Sequence, residues 1–215
     1  MKKLSQLALA LAALTLAPSA FAASILATTD GSKSLDNVKE SASGTLTIEG
    51  RVNKNLVTVG AGIRTATLGI HAYEAELLVN DKSQYCAGGR GLPNLANLTS
   101  LAVRINVLFS FDKGKLVEAL NTGFDSNGVD PSNPDVVNLM TKIKAGPDAP
   151  RGDLIVFAGE RLPNGTEVVT YENQGKAVSV HGGSGFVASI FALWLGQTDD
   201  SGLKNLNKAL VTCQM

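Results

Sequence analysis

Histidine, cysteine and tryptophan are nearly missing from this chain of 215 residues, which has 2, 2 and 1 of them. Two histidines are too few for a Ser-His-Asp or Cys-His arrangement to be read. Two cysteines without regularly spaced companions do not make a metal site, so no metal is expected. Charge of one sign is also lacking: Lys plus Arg and Asp plus Glu number 19 each. No basic residues cluster, so no nucleic acid is expected as a partner. Apart from the N-terminus there is no long apolar run. A bilayer-spanning helix needs about 20 such residues, so no stable membrane insertion is expected after export. Gly60-Ala61-Gly62 is not a phosphate loop, because a strand pattern follows it and no lysine is placed for a phosphate. No cofactor is expected.

The N-terminus reads as a secretory signal peptide over residues 1–22. Lys2 and Lys3 precede the short apolar run LALALAALTL, and Ala20-Phe21-Ala22 is a small-x-small cleavage pattern. The mature chain, 23–215, then has 215 − 22 = 193 residues, enough for a single domain with a sizeable core. It carries 19 − 2 = 17 basic against 19 acidic residues. The lysine-led signal looks bacterial and points to the periplasm. In that oxidising compartment Cys86 and Cys213 are expected to form a disulfide, the alternative being two unrelated buried thiols.

Along the mature chain, residues 23–44 are polar and rich in turn formers and read as a loose lead-in. Alternation then marks strands over 45–52, 55–67, 70–79 and 101–111. The period changes in the middle. Leu116, Ala119, Leu120 and Phe124 fall at helical spacing, as do Val136, Val137, Met140 and Ile143, the second set behind an Asn133 N-cap and Pro134. Strands return over 153–160, 166–172 and 176–182, joined by Pro-Asn-Gly and Asn173-Gln174-Gly175 turns. Ser184 is positioned to cap an apolar helix carrying Phe186, Val187, Ile190, Phe191 and Trp194, and an amphipathic helix ends the chain. Strands joined by short turns favour an antiparallel sheet with helices on one face, an α+β architecture.

Arg64 raises the functional question. If strands 63–67 and 70–74 form a hairpin around Leu68-Gly69, Thr67 faces Ile70, Ala66 faces His71 and Arg64 faces Tyr73. Arg64, His71 and Tyr73 then share a side with Ala75, Leu77 and Val79, while Glu74 and Glu76 take the other, expected to be the wet one. An inward guanidinium needs an anion. Either an internal carboxylate such as Asp112 or Glu118 or a helix C-terminus supplies it, or a ligand carboxylate or enolate does, with Tyr73 as second donor. His71 beside it is a hydrogen-bonded core residue or, less in keeping with a lone histidine, a ligand-binding group. His181 is expected at the surface.

Two stretches resemble the chalcone isomerase-like family. VGAGIRTATLGIHAYEAELLV (59–79) is similar to the family's glycine-glycine-x-arginine strand and the tyrosine-containing strand after it. Residues 151–197 resemble its Lys/Arg-Gly-Asp strand, Gly-Thr strand, glycine turn and terminal helix ending Trp-Leu-Gly. The resemblance implies an open-faced β-sandwich, in which a large antiparallel sheet is backed by helices with a ligand cleft between them. It also implies a role for Arg64, whose counterpart holds a substrate's phenolate oxygen in the plant enzymes and, with a tyrosine, a fatty-acid carboxylate in plant binding relatives. Where the enzymes carry polar residues, this chain has Leu116, Gly123 and Phe186 or Val187. Glu76 and Leu78 replace a family glycine and tyrosine. The expectation is therefore a periplasmic binding protein for a small amphipathic ligand with an acidic, fatty-acid-like head. Arg64, Tyr73 and His71 would lie near the head, and Phe186, Ile190 and Trp194 would wall the cleft. The alternative is an isomerase or intramolecular lyase acting on a conjugated ketone, with Arg64 and Tyr73 catalytic.

Overall fold

Two-residue turns organise the N-terminal third. The computed structural model describes residues 24–87 and 91–213, so the signal peptide expected over residues 1–22 lies outside the described residues. Asp36 and Asn37 both take positive φ, and Leu35 pairs with Val38 around them. That is a two-residue hairpin whose twist suits the flanking strands. Residues 23–44, read above as a loose lead-in, therefore hold β1 (Leu26–Leu35) and the start of β2 (Val38–Ile48). Polar residues in an exposed edge hairpin leave no apolar alternation to detect. The strand expected over 45–52 is corrected in the same way. Glu49 and Gly50 turn with positive φ, Ile48 pairs with Arg51, and β3 runs Arg51–Thr65.

The remaining strands are β4 (His71–Val79), β5 (Ser100–Val107), β6 (Leu154–Arg161), β7 (Glu167–Asn173) and β8 (Lys176–Gly182). All eight pair in chain order as one antiparallel meander, with β1 and β8 as its edges. The Gln174-Gly175 turn has the expected positive φ at both positions. Among the described residues there are five α-helices: α1 (Lys82–Ala87), α2 (Lys113–Ser126), α3 (Pro134–Ala145), α4 (Phe186–Leu195) and α5 (Ser201–Leu210). Against the sheet, α5 lies along β3, α4 along β7 and α3 along β8, with α2 against α4. The large antiparallel sheet backed by a layer of helices is the expected architecture.

Helix detail departs in three places. Asn133 caps α3 as expected, accepting from the Asp135 amide at 2.9 Å. On α2 and α3, Ala119 and Val137 face solvent, and Val117 and Leu139 are buried in their stead. Ser184 does not cap α4. The N-cap is Gly185 in the left-handed region, and the buried Glu167 carboxylate reaches across from β7 to accept from the Val187 amide at 2.6 Å.

Two apolar clusters sit on the two faces of the sheet. The larger one packs Ala75, Leu77, Val103, Ile105, Phe157 and Val169 against the helices. The smaller one, on the opposite face, joins Leu78, Ala102, Val156 and Ala158 to Leu26, Leu46, Ile48 and Leu56. The first three strands thus curl over the face that was expected to be wet. Glu74 and Glu76, placed there, are fully buried. Their partners are fixed and local. Asn106 Nδ2 donates to Glu74 at 2.5 Å, while Glu76 accepts from the Ser41 amide at 2.8 Å and from Arg104 at 3.4 Å.

Candidate functional site

The residues around Arg64 are assembled by β3, β4, α4 and α5. Arg64 pairs directly with Tyr73, as the hairpin register predicts, but a bulge follows, so Thr65 rather than Ala66 faces His71. The turn is a 3₁₀ segment, Thr67–Gly69, with Leu68 at φ 64°. Upstream, Gly60 and Gly62 are where α5 makes its closest approach. A Cβ on Gly60 would strike the backbone carbonyl of Ala209, and one on Gly62 would lie 2.6 Å from the Ala209 methyl. Gly202, in the first turn of α5, answers them from the other side, since a Cβ there would collide with the Thr65 carbonyl. Three glycines therefore let a helix lie on bare strand backbone, as only residues without a Cβ allow.

This close seating settles the arginine's partner. Arg64 Nη2 donates to Asp200 Oδ2 at 2.6 Å, and Nη1 donates to the Thr65 carbonyl. The internal carboxylate is thus neither Asp112, which caps α2, nor Glu118, which pairs with Lys115 at the surface. Asp200 has a second task. Its Oδ1 accepts from the Leu203 amide at 2.7 Å, making it the N-cap of α5. The Arg64 side chain is 19% exposed and that of Asp200 44%. A pair so open to water is worth roughly 0–1 kcal/mol, because solvent and salt screen it. Arg64 is neutralised by an anion that stays partly exposed to water.

Tyr73 and Trp194 complete the group. Burial pushes the Tyr73 phenol up to about 12. The Trp194 side chain and the Arg64 charge oppose that rise, and Asp200 adds to it. Trp194 is buried and packs its ring 4.9 Å from that of Phe157 and 6.2 Å from that of Phe191. Its Nε1 is buried and is the group through which Trp194 acts on the Tyr73 phenol, as a hydrogen-bond donor.

Other expected site residues lie apart. His71 is exposed, its Nδ1 3.1 Å from Asp36 in the β1–β2 turn, so it is neither a core residue nor a neighbour of the Arg64 head group. His181 is at the surface as expected, 2.9 Å from Glu49. Phe186 and Ile190 are buried in the main core on α4, where they pack rather than line an open cleft. Two surface concavities, one bounded by Phe111, Asp148 and Gln174 and the other by Leu92, Asn127 and Leu195, lie elsewhere. Cys86 and Cys213 form the expected disulfide, with Cα atoms 6.0 Å apart across a sequence separation of 127. It fastens the chain just beyond α5 to α1. Asp200 was missed because its sequence signal, an acidic N-cap before an amphipathic helix, reports the cap and not the cation it meets.

Among the described residues no group of three His, Cys, Asp or Glu side chains is placed to hold a metal ion. No described helix is long and apolar enough to cross a membrane. No curated protein matches the chain. The chain is similar in fold to the crystal structure of an Arabidopsis thaliana fatty-acid binding protein, with a TM-score of 0.51 and 15% identity, covering 77% of this chain and 95% of that one. At that identity the likeness concerns the fold. The family model for chalcone isomerase-like proteins matches residues 37–208. With the glycine-arginine strand, its tyrosine partner and the helix-backed meander all in place, this chain belongs to the chalcone isomerase-like family.

Proposed function

We propose that this is a non-catalytic binding protein of the periplasm that takes a small amphipathic molecule with an acidic, fatty-acid-like head. Arg64 holds the head, Tyr73 donates a second hydrogen bond, and the apolar part lies between the sheet and the helices. The observation that carries this reading is the pairing of Arg64 with Tyr73 on the helix-facing side of the sheet, beside the buried Trp194. Membership of the family and the fold shared with a fatty-acid binding protein support it. The disulfide supports an oxidising destination, since such bonds persist outside the reducing cytosol.

The Arg64–Asp200 ion pair favours a second reading, in which Arg64 only clamps α5 to the sheet. An isomerase acting on a conjugated ketone is disfavoured by the site's chemistry. Stabilising a developing enolate takes several preorganised donors, and Leu116 and Phe186 or Val187, all buried and apolar, stand where the resemblance places polar residues in the enzymes. Titration calorimetry with dodecanoate separates the readings. Binding by the native protein and its loss in Arg64→Ala, with the fold intact by circular dichroism, supports the carrier. No binding by either protein leaves the clamp. Chalcone absorbance decaying no faster than in buffer is the expected result for a non-enzyme.

A further inference from the structure

Arg64 already has an anion, and that anion is also the N-cap of α5. The two ends of α5 are held to the sheet in different ways. At its C-terminal end the backbone of Ala209 and Leu210 lies over Gly60, and Cys213 is bonded to Cys86. At its N-terminal end Gly202 touches Thr65, and Asp200 accepts a hydrogen bond from Arg64 of β3. The linker before it is pinned at Gln197, whose amide donates to Asn127 at 2.7 Å, leaving Thr198 and Asp199 between that anchor and the cap. Beneath the helix the floor is bare: Gly60 and Gly62 of β3 offer backbone without side chains, next to Ala75 of β4. Over this floor α5 presents Leu203, Leu206 and Leu210, all buried. An apolar chain entering from the Arg64 end would replace the Leu203–Leu206 face on the same strip.

We infer that Asp200 is a resident competitor for the ligand's acidic head. The carboxylate of an incoming amphiphile displaces Asp200 from Arg64, and the first turn of α5 tilts away from β3 while the disulfide keeps its far end in place. This rests on the binding reading above and adds its regulation. Affinity is set by a head group that must outcompete a carboxylate on the chain itself, so neutral amphiphiles, which cannot exchange with Asp200, are excluded. The exchange is feasible because Asp200 is 44% exposed and takes a single hydrogen bond from Arg64.

The test uses Asp200→Asn. Asparagine caps helices about as well as aspartate, so the α5 terminus keeps its hydrogen bond to Leu203 while the charge on Arg64 is released. In calorimetry with dodecanoate, Asp200→Asn is expected to bind at least about tenfold more tightly than the native protein, a gain of about 1.4 kcal/mol. With dodecanol it is expected to show no such gain. Hydrogen exchange on the native protein with saturating dodecanoate is expected to speed up at residues 201–204 and stay unchanged near Cys213. Equal or weaker dodecanoate binding by Asp200→Asn, while the native protein binds and Arg64→Ala does not, overturns the competitor and leaves the carrier standing. Failure of both native protein and Asp200→Asn to bind overturns both. Binding by Asp200→Asn alone supports both.

Discussion

Glu74 offers the sharpest test of how this sheet is built. It is fully buried beneath the curling strands, with Glu76 two residues away on the same face and also buried. Burial, with the neighbouring Glu76 charge adding to it, pushes the Glu74 carboxyl up to about 8 from an ordinary 4.5. The hydrogen bond from Asn106 and the Arg104 charge oppose the rise, and Glu40 adds a little to it. The folded protein therefore holds a proton that the unfolded chain releases. The sign follows from linkage: the stabilisation is complete below about pH 4.5 and is lost as pH rises towards 8. At about 1.4 kcal/mol per pH unit, the two values imply that roughly 3–4 kcal/mol is lost between pH 5 and pH 8. Glu74→Gln imitates the neutral acid. Its carbonyl can accept from Asn106, and its amide presents donors where Glu74 Oε1 and Glu76 Oε2 have no partner among the described residues. Urea unfolding of both proteins at pH 5, 6.5 and 8 is the assay. Titrating groups remote from Glu74 are common to the pair and cancel in the difference. The variant should match the native protein within about 1 kcal/mol at pH 5 and exceed it by several kcal/mol at pH 8. Parallel stability profiles across that range would refute the reasoning, since they would mean that Glu74 is charged in the fold or solvated there.

Two further predictions concern α5. Gly202→Ala places a methyl against the Thr65 carbonyl, so although alanine is the better helix former it should lower stability by about 1–3 kcal/mol, measured by urea unfolding. A stabilised variant would show that α5 is not seated on β3 as described. Replacing Cys86 and Cys213 with serine opens a loop spanning 127 residues. In the entropic model the fold should lose up to about 4–5 kcal/mol, read as a lower urea midpoint than that of the oxidised protein, with no change expected if the pair is unformed in solution.

Much of this molecule could be read from its residues, and the limits of that reading have physical causes. Local rules determined what local interactions decide. The Asn133 cap, the Gln174-Gly175 turn, the helical spacing on α2 and α3 and the pairing of Arg64 with Tyr73 depend on residues close in the chain, where periodicity and turn chemistry dominate. The disulfide followed from counting. Other features belong to the tertiary structure alone. The curl of β1–β3 buried Glu74 and Glu76 on a face that alternation by itself marks as wet, because burial of one sheet face depends on what folds over it. The Arg64 partner came from a helix 136 residues away in sequence, seated by three glycines whose purpose shows only when the other backbone is present. A charge in a sequence says that an opposite charge is needed. Only the packed chain decides which one arrives and how firmly it is held.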